Sequence, residues 1–490
     1  MTTMQLSNRT LSALPSAVHR PRYDRSQVQA SIMHLGVGAF HRAHQAAMTE
    51  AVLASGDLAW GIVGAGLMTS GTKDALAPQD GLYTLVERAA GSEKTSVIGA
   101  IVELLGGEAD LPQVLARMCA ASTRIVSLTV TEKGYYLDVA SGRLQLDAPM
   151  VKADLASPRA PRTILGLIVE ALRVRRSQGV APFTVLSCDN LPNNGKTAKA
   201  AVVAFARVLD GELADWIAAN VRFPCSMVDR ITPATTDADR DDVNALLGVK
   251  DAWPIVTEAF VQWVIEDDFT LGRPDWTLGG AVFSNEIEAW EAMKLRCLNG
   301  AHSTLAYLGQ LMGRETVADA MQTPQIARLL DALWGEVLQV LKAPSGVDPA
   351  DYVQQLKARF LNPALKHRTL QIAMDGSQKL PQRLLATLRE RRARALSSPA
   401  LATAIAAWMH FVVKATHTPG AVLNDPLADV LRSKAGISLQ ANEIVRSLLS
   451  ISKIFGTDLA QDAGFVAELL DRFGALAADA EVACLPSITY

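Results

Sequence analysis

The sequence predicts an α/β protein with a doubly wound N-terminal domain followed by a mainly α-helical C-terminal domain. The chain has 490 residues, enough for two or three domains. Its first half alternates short β-branched runs with helical patterns, the order typical of a parallel sheet covered by helices. After Phe283 the pattern becomes helical almost to the end. We therefore expect a sheet domain over residues 1–285 and a helical domain over residues 286–490.

The composition excludes several classes of protein. The chain is 49% hydrophobic and 20% charged, and its net charge of −3 gives no general attraction for nucleic acid or an anionic membrane. Its five cysteines are widely spaced and include no Cys-x-x-Cys pair, which argues against a disulfide framework or a zinc site. No stretch resembles a signal peptide or a membrane span. We expect a soluble cytoplasmic protein without a metal ion.

The first predicted strand, Ser31–Leu35, runs directly into a glycine-rich turn and a helix over Arg42–Ala54. Gly36 and Gly38 match the first two glycines of G-x-G-x-x-G, where backbone N–H groups approach a pyrophosphate. A turn that merely needs positive φ is the alternative, because the third position is not glycine. The candidate dinucleotide-binding residues are Gly36, Gly38, Ala39, Phe40 and His41.

Polar side chains follow the later strands. Further strands are predicted at Trp60–Ala65, Arg124–Val130 and Phe183–Ser187. Ligands of such sheets bind beyond the carboxyl ends of the strands, where this chain places Glu132, Asp189 and Asn190. The alternative is that Asp189 and Asn190 only cap the turn before Pro192.

The segment Lys294–His302 is the strongest candidate for chemistry. At about 100° per residue, His302 lies about 80° and Asn299 about 140° from Lys294 around a helix. Three leucines share this arc, so the polar groups face a core or a cleft rather than solvent. Burial of each polar side chain without a hydrogen-bond partner would cost about 1–3 kcal/mol. A ligand or neighbouring backbone groups could equally supply those partners.

Six motifs in order carry a family resemblance: Gly36–Gln45, Ser127–Glu132, Ser187–Asn190, Met227–Ile231, Gln262–Asp267 and Met293–His302. Together they resemble the polyol-specific long-chain dehydrogenases, the family of mannitol 2-dehydrogenase and fructuronate reductase. The resemblance extends from about Pro21 to past Asp458. It implies a metal-independent enzyme with a Rossmann-type NAD-binding domain, a helical substrate-binding and catalytic domain, and a small sugar acid or polyol as substrate.

The resemblance also implies roles for individual residues. Lys294 corresponds to the general acid/base, and burial beside the positively charged nicotinamide would lower its pKa. Asn190 and Asn299 correspond to the amides that polarise the reacting oxygen, and His302 to the residue that orients the neighbouring hydroxyl. The further substrate-contacting candidates are Lys379, Asp229, Glu132 and Arg368.

Two stretches favour one branch of that family. Residues Asn362–Arg368 and Gln371–Arg383 closely resemble fructuronate reductase, whereas Lys133 and Gln371 depart from the mannitol dehydrogenase pattern. A substrate carboxylate needs a cationic contact. The candidates are Lys366, Arg368, Lys379 and Arg383, and ordinary surface charge is the alternative for all of them except Lys379.

These inferences predict an NAD-dependent oxidoreductase that interconverts D-mannonate and D-fructuronate. Mannitol 2-dehydrogenase, or a dehydrogenase of a related polyol such as arabinitol, is the first alternative, and a non-catalytic NAD-binding sensor is the second. NADP is not excluded, because the stretch Gly66–Lys73 after the second strand lacks the acid that would repel a 2′-phosphate.

Overall fold

The computed structural model describes residues 4–89, 91–138, 142–365 and 367–478. The chain divides into two compact units, Met1–Glu288 and Ala289–Tyr490. All the strands assigned in the described residues lie in the first unit. Their bounds are β1 Ala30–Leu35, β2 Gly61–Gly66, β3 Tyr83–Ala89, β4 Ser92–Ile98, β5 Ile101–Gly106, β6 Ile125–Leu128, β7 Thr184–Ser187, β8 Ser226–Asp229, β9 Ile255–Glu258, β10 Gln262–Ile265 and β11 Val282–Phe283.

The main sheet has the strand order β5-β2-β1-β6-β7, and all its pairs are parallel. Met33 at its centre is level with Val63 on one side and Val126 on the other. The chain first builds the sheet outward from β1 through β2 to β5, then returns to the opposite side of β1 for β6 and β7. This is the predicted doubly wound fold, and its switch point lies between β1 and β6.

Side chains of successive strand residues fill two separate cores. Met33 and Leu35 of β1 pack into one apolar cluster with the buried faces of neighbouring helices, whereas Ile32 packs into a second cluster on the other side. Residues 31–35 are all buried, as expected for a central parallel strand that is covered on both faces. This burial explains why the strand appears in the sequence as an uninterrupted, mostly apolar run.

Two small sheets flank the main one, with the orders β4-β3-β9 and β11-β10-β8. Strand β8 pairs with β10 in antiparallel register, with Val228 opposite Trp263. It is tied to the end of β7 by a hydrogen bond of 2.7 Å from the Ser226 hydroxyl to the Ser187 carbonyl. The sheet β11-β10-β8 therefore adjoins the main sheet at the carboxyl end of β7.

The helices of the first unit surround these sheets. The predicted helix Arg42–Ala54 begins earlier, at Ala39, and is interrupted at His44, where φ is −119° and ψ is −92°. The helix bounds are α1 Ala39–Ala43, α2 Gln45–Ala54, α3 Gly71–Leu76, α4 Leu111–Cys119, α5 Pro149–Ala156, α6 Ile164–Ser177, α7 Asn194–Leu209, α8 Gly211–Asn220 and α9 Asp237–Leu247; α10 Ile287–Met293 contains the boundary between the units.

The described part of the second unit consists of helices and connecting loops, and two of its segments are π-helical, Lys294–Asn299 and Pro381–Leu385. Its longest helix, α18, is buried along most of its length and packs against α11, α13 and α22. The bounds are α11 Gly300–Leu311, α12 Val317–Met321, α13 Pro324–Leu338, α14 Pro349–Phe360, α15 Thr369–Ala373, α16 Gly376–Leu380, α17 Ala386–Ala393, α18 Pro399–His417, α19 Ala428–Ala435, α20 Ala441–Leu449, α21 Ser452–Phe455 and α22 Ala463–Ala478.

Within the part of the chain that the structure describes, no helix has both the length and the apolar character needed to cross a membrane. The cysteines at positions 119, 188, 225 and 297 are unbridged, and Cys484 lies outside the described residues.

Candidate active site

The glycine-rich turn follows β1 at the switch point. Gly36 has φ of +99°, and a Cβ there would lie 2.1 Å from the carbonyl oxygen of Thr129, so only glycine fits. Gly38 is exposed and precedes α1, and a Cβ at this position would meet no atom closer than 3.8 Å. Gly36 thus allows β1 and β6 to approach each other, while Gly38 leaves exposed backbone at the edge where a dinucleotide phosphate would bind.

The third position of the motif, His41, is part of the core. Its ring lies 3.4 Å from that of His34, centroid to centroid, and its side chain is only 1% exposed. Neither ring nitrogen of His41 has a hydrogen-bond partner in the described structure, and burial lowers the pKa of His41 well below its ordinary value. Phe40 is half-buried and stacks on His44. Any contact of His41 with a cofactor would therefore involve its backbone.

Asp189 holds the loop that follows β6. One carboxylate oxygen accepts hydrogen bonds of 2.8 Å from the backbone N–H groups of both Val130 and Thr131, and the other accepts the Tyr135 hydroxyl at 2.7 Å. Thr131 is held at φ of +66°, which is uncommon for a threonine. Burial raises the pKa of Asp189 although these three donors oppose the shift. Asp189 therefore stabilises the loop that follows β6.

Two of the other predicted residues of the first unit lie at this same edge. Glu132 and Asn190 are exposed, at the ends of the adjacent strands β6 and β7. Asp229 is buried and is the last residue of β8. The Asn194 side chain bonds both Asp189 and Ser226, which holds β8 beside the end of β7.

In the second unit, Lys294, Asn299 and His302 are 7%, 5% and 8% exposed. The structure inserts a π-helical segment between α10 and α11, and Lys294 begins this segment while Asn299 ends it. A π turn advances fewer degrees per residue than an α turn, which brings these side chains nearer to one line than a regular helix would. Hydrophobic periodicity cannot reveal such a segment, but π turns are frequent at functional sites.

His302 is neutral and lies among aromatic and basic side chains. Its ring centroid lies 4.8 Å from that of Phe360 and 5.3 Å from that of His367. Burial lowers the pKa of His302 well below its ordinary value, and the neighbouring basic side chains of His367, Arg359, Arg383 and Lys294 disfavour its protonation further. Its Nε2 atom has no hydrogen-bond partner in the described structure, so a ligand hydroxyl would satisfy it.

The predicted cationic residues of this unit have different environments. The Lys379 ammonium donates to the carbonyls of Ile372 at 3.1 Å and Met374 at 2.5 Å, at the end of α15. Arg368 is exposed at the start of α15. Arg383 is half-buried and donates to the Ser303 hydroxyl at 3.1 Å. Lys366 lies outside the described residues.

Sequence reasoning did not single out Ser303, Arg359, Phe360 or His367. His367 lies within the stretch that resembles fructuronate reductase, so the motif contained it without indicating a role. The contacts of Phe360 and His367 with His302 join residues about sixty positions apart, which no local pattern reveals. No group of three or more His, Cys, Asp or Glu side chains in the described residues could hold a metal ion.

Comparison with known proteins places this geometry in a family. Residues 30–278 match the mannitol dehydrogenase Rossmann domain, and residues 286–477 match the mannitol dehydrogenase C-terminal domain. The chain belongs to the mannitol dehydrogenase family. It is therefore an oxidoreductase that acts on a secondary alcohol, as the motifs predicted.

Three relatives illustrate the range of this family. The chain is 46% identical to the D-mannonate oxidoreductase of Escherichia coli, over 95% of this chain and 96% of the relative. It is 40% identical to the mannitol 2-dehydrogenase of Pyrenophora tritici-repentis, over 97% of this chain and 85% of the relative. The structure of Pseudomonas fluorescens mannitol 2-dehydrogenase with NAD and D-mannitol superposes with a TM-score of 0.87 at 37% identity and covers 98% of both chains.

Proposed function

We propose that this member of the mannitol dehydrogenase family interconverts D-mannonate and D-fructuronate, with NAD as cofactor. The observation that carries the proposal is the buried group Lys294, Asn299 and His302, beside which the Ser303 hydroxyl holds the guanidinium of Arg383. A half-buried guanidinium favours an anionic substrate over a neutral one, because low-dielectric surroundings strengthen charge interactions. The identity to a D-mannonate oxidoreductase supports the same choice.

The side chains suit proton transfer at a secondary alcohol. NAD, when bound, accepts the hydride from the alcohol carbon. Lys294 accepts the hydroxyl proton during oxidation and returns it during reduction. The Asn299 amide donates a hydrogen bond to the oxygen as negative charge develops on it. The Nε2 atom of His302 bonds an adjacent hydroxyl and fixes the position of the sugar chain.

The roles of the first unit's polar residues are proposed by resemblance. Asn190 would supply a second amide to the reacting oxygen, and Glu132 and Asp229 would adjust charge or relay protons. The exposed backbone at Gly38 and Ala39 fits a pyrophosphate, with Gly36 holding the turn.

Discrimination against NADP is expected to be weak. Met68, just past β2, is 72% exposed, and Lys73 is bound to Asp110 at 2.5 Å. The first acid, Asp74, accepts a hydrogen bond from Ser70. We expect Met68→Asp to lower kcat/KM for NADP more than for NAD, because a carboxylate there would repel the 2′-phosphate. A wild-type enzyme with equal or higher efficiency with NADP would contradict the choice of NAD.

A substrate panel tests the proposed reaction. Absorbance at 340 nm is followed with D-mannonate, D-mannitol and D-arabinitol, each with NAD and with NADP. We expect the highest kcat/KM with D-mannonate and NAD. A higher value with D-mannitol or D-arabinitol would make the enzyme a polyol dehydrogenase, the candidate that the mannitol 2-dehydrogenase relatives support. Absence of turnover with every substrate would favour the sensor.

A further inference from the structure

The guanidinium of Arg383 has no carboxylate partner among the described residues. Its Nη1 atom donates to the Ser303 hydroxyl at 3.1 Å and to the Asn299 carbonyl at 3.4 Å, and both acceptors are uncharged. No carboxylate among the described residues forms an ion pair with it. Three other arginines of this unit pair with an acid at 2.6 Å, Arg296 with Glu390, Arg389 with Asp458 and Arg392 with Asp462. Arg432 bonds only backbone carbonyls, but through both terminal nitrogens, whereas Arg383 uses one.

The guanidinium of Arg383 has an unused hydrogen-bonding edge. Only Nη1 is engaged, while Nε and Nη2 make no hydrogen bond to the described residues. These two atoms form the edge that binds a carboxylate through two parallel hydrogen bonds. Burial lowers the pKa of Arg383 to about 10, so the group remains charged at neutral pH.

The position of Arg383 suits a substrate that also reaches His302. Its hydrogen-bond partner Ser303 is the neighbour of His302, and its charge helps to keep His302 neutral. The other described candidates are less suitable: Lys379 is engaged by two carbonyls, and the Arg368 side chain is exposed.

We propose that Arg383 binds the carboxylate of a sugar-acid substrate through its unused guanidinium edge and thereby selects acids over neutral polyols. This proposal rests on the proposed function, because it assigns a residue to the acid group of that substrate. Binding also supplies the counter-ion that the protein itself does not provide in the described structure. The Ser303 hydroxyl holds the guanidinium in place.

Two variants and a matched control test this role. D-Mannonate and D-mannitol have the same carbon chain and differ in the charge at one end. We expect Arg383→Gln to raise KM for D-mannonate at least about tenfold while KM for D-mannitol changes less than about twofold. Arg383→Lys keeps the charge but not the two-bond geometry and should restore part of the loss. Arg328→Gln, an exposed arginine of α13, should leave both values unchanged.

An equal rise in KM for both substrates, or no rise for either, would overturn the role of Arg383. If Arg383→Gln does not fold, the same comparison with Arg383→Lys decides. Failure of the proposed function is distinguishable, since the wild-type enzyme would then not turn over D-mannonate. In that case calorimetric titration of the NADH-bound enzyme with D-mannonate and D-gluconate decides: weaker binding by the variant supports the role, and equal binding overturns it.

Discussion

At the scale of single residues, Lys294 carries most of the proposed chemistry. It is 7% exposed and lies among groups that influence His302 electrostatically. We expect Lys294→Ala to lower turnover by a factor on the order of 10²–10⁴, because the alcohol proton would lose its acceptor. Affinity for NADH should be nearly unchanged. Steady-state kinetics and a fluorescence titration with NADH measure the two effects.

The pH dependence of this variant separates proton transfer from a structural role. Oxidation by the wild-type enzyme should slow at low pH as the Lys294 amine becomes protonated, and the variant should lose this limb of the profile. A small added amine should restore part of the rate. A variant that melts several degrees lower but keeps wild-type turnover and an unchanged pH profile would assign Lys294 to stability alone.

A second residue-scale prediction concerns His34, which is fully buried beneath the glycine-rich turn. Its ring nitrogens bond the hydroxyls of Ser127 at 2.8 Å and Thr129 at 2.9 Å, and burial lowers its pKa to about 3. Because an unfolded histidine titrates near 6.5, acidification protonates the unfolded state first. His34 therefore costs the protein about 2 kcal/mol of unfolding free energy between pH 7.5 and pH 5.0.

Removing the titratable ring should remove this loss. The free energy of unfolding of His34→Gln, taken relative to that of the wild type, should be about 2 kcal/mol higher at pH 5.0 than at pH 7.5. Urea unfolding at the two pH values measures it. Ser127→Ala removes a hydrogen bond to the ring but keeps the ring, so its effect should be similar at both pH values. An identical stability difference for His34→Gln at both pH values would show that the folded ring titrates normally.

The sequence predicted which residues belong to the site, but it did not predict which role each of them has. Asp189 and Asn190 are adjacent, and both fitted either a ligand-binding or a turn-capping role. Asp189 accepts three hydrogen bonds that hold the loop after β6, whereas the Asn190 side chain is exposed. This difference depends on contacts of Asp189 with the loop after β6, almost sixty residues earlier in the chain. The residues next to Asp189 in the sequence give no indication of those contacts.

At the scale of elements, the two π-helical segments of the second unit lie against each other. A Cβ on Gly300 would approach the Arg383 carbonyl oxygen to 3.0 Å, tighter than most real contacts. We expect Gly300→Ala to displace both segments and to lower kcat at least about tenfold, because small errors in catalytic geometry are costly. Turnover with the preferred substrate measures the effect.

Gly335 provides the matched control for that substitution. It is exposed in the middle of α13, and a Cβ there would meet no atom within 4 Å. Gly335→Ala should therefore raise the unfolding free energy by about 0.5–1 kcal/mol and leave kcat unchanged. Wild-type turnover by Gly300→Ala would show that the π segments tolerate the displacement.

Elements that depend on the local sequence were predicted more accurately than elements that depend on contacts with distant residues. Strand β1 was predicted at Ser31–Leu35 and is observed at Ala30–Leu35, because a buried run needs no distant information. The helical pattern after Phe283 does not show where one helix ends and the next begins, as between α12 and α13, where Pro324 begins a new helix. The sheets β4-β3-β9 and β11-β10-β8 were not predicted, because their pairs join distant segments.

At the scale of the whole molecule, the first unit contains its own apolar cores. The three apolar clusters of this unit draw all their members from residues between Leu6 and Phe283. We therefore expect residues 1–288 expressed alone to fold and to unfold cooperatively in urea, as monitored by circular dichroism. This result would support the boundary predicted near residue 286.

A shorter fragment supplies the control. Residues 1–270 lack Trp276, which is fully buried and donates to the Thr49 hydroxyl at 3.0 Å. Loss of such a side chain costs about 3–5 kcal/mol, so this fragment should be mostly unfolded or aggregated. If residues 1–288 behave in the same way, the first unit depends on the rest of the chain for its stability.

The π-helical segment Lys294–Asn299 also has an ancestral meaning. Because a π turn accommodates one more residue than an α turn, the segment is equivalent to an α-helix that has acquired a single inserted codon. The wide turn absorbs the extra residue, so the helix after it keeps its orientation relative to the helix before it. Asn299 ends the π segment and His302 lies in the α-helix that follows. An insertion of this kind therefore lengthens the chain between Lys294 and His302 while the helices on either side keep their packing, so a residue can be added within an active-site helix without loss of the fold.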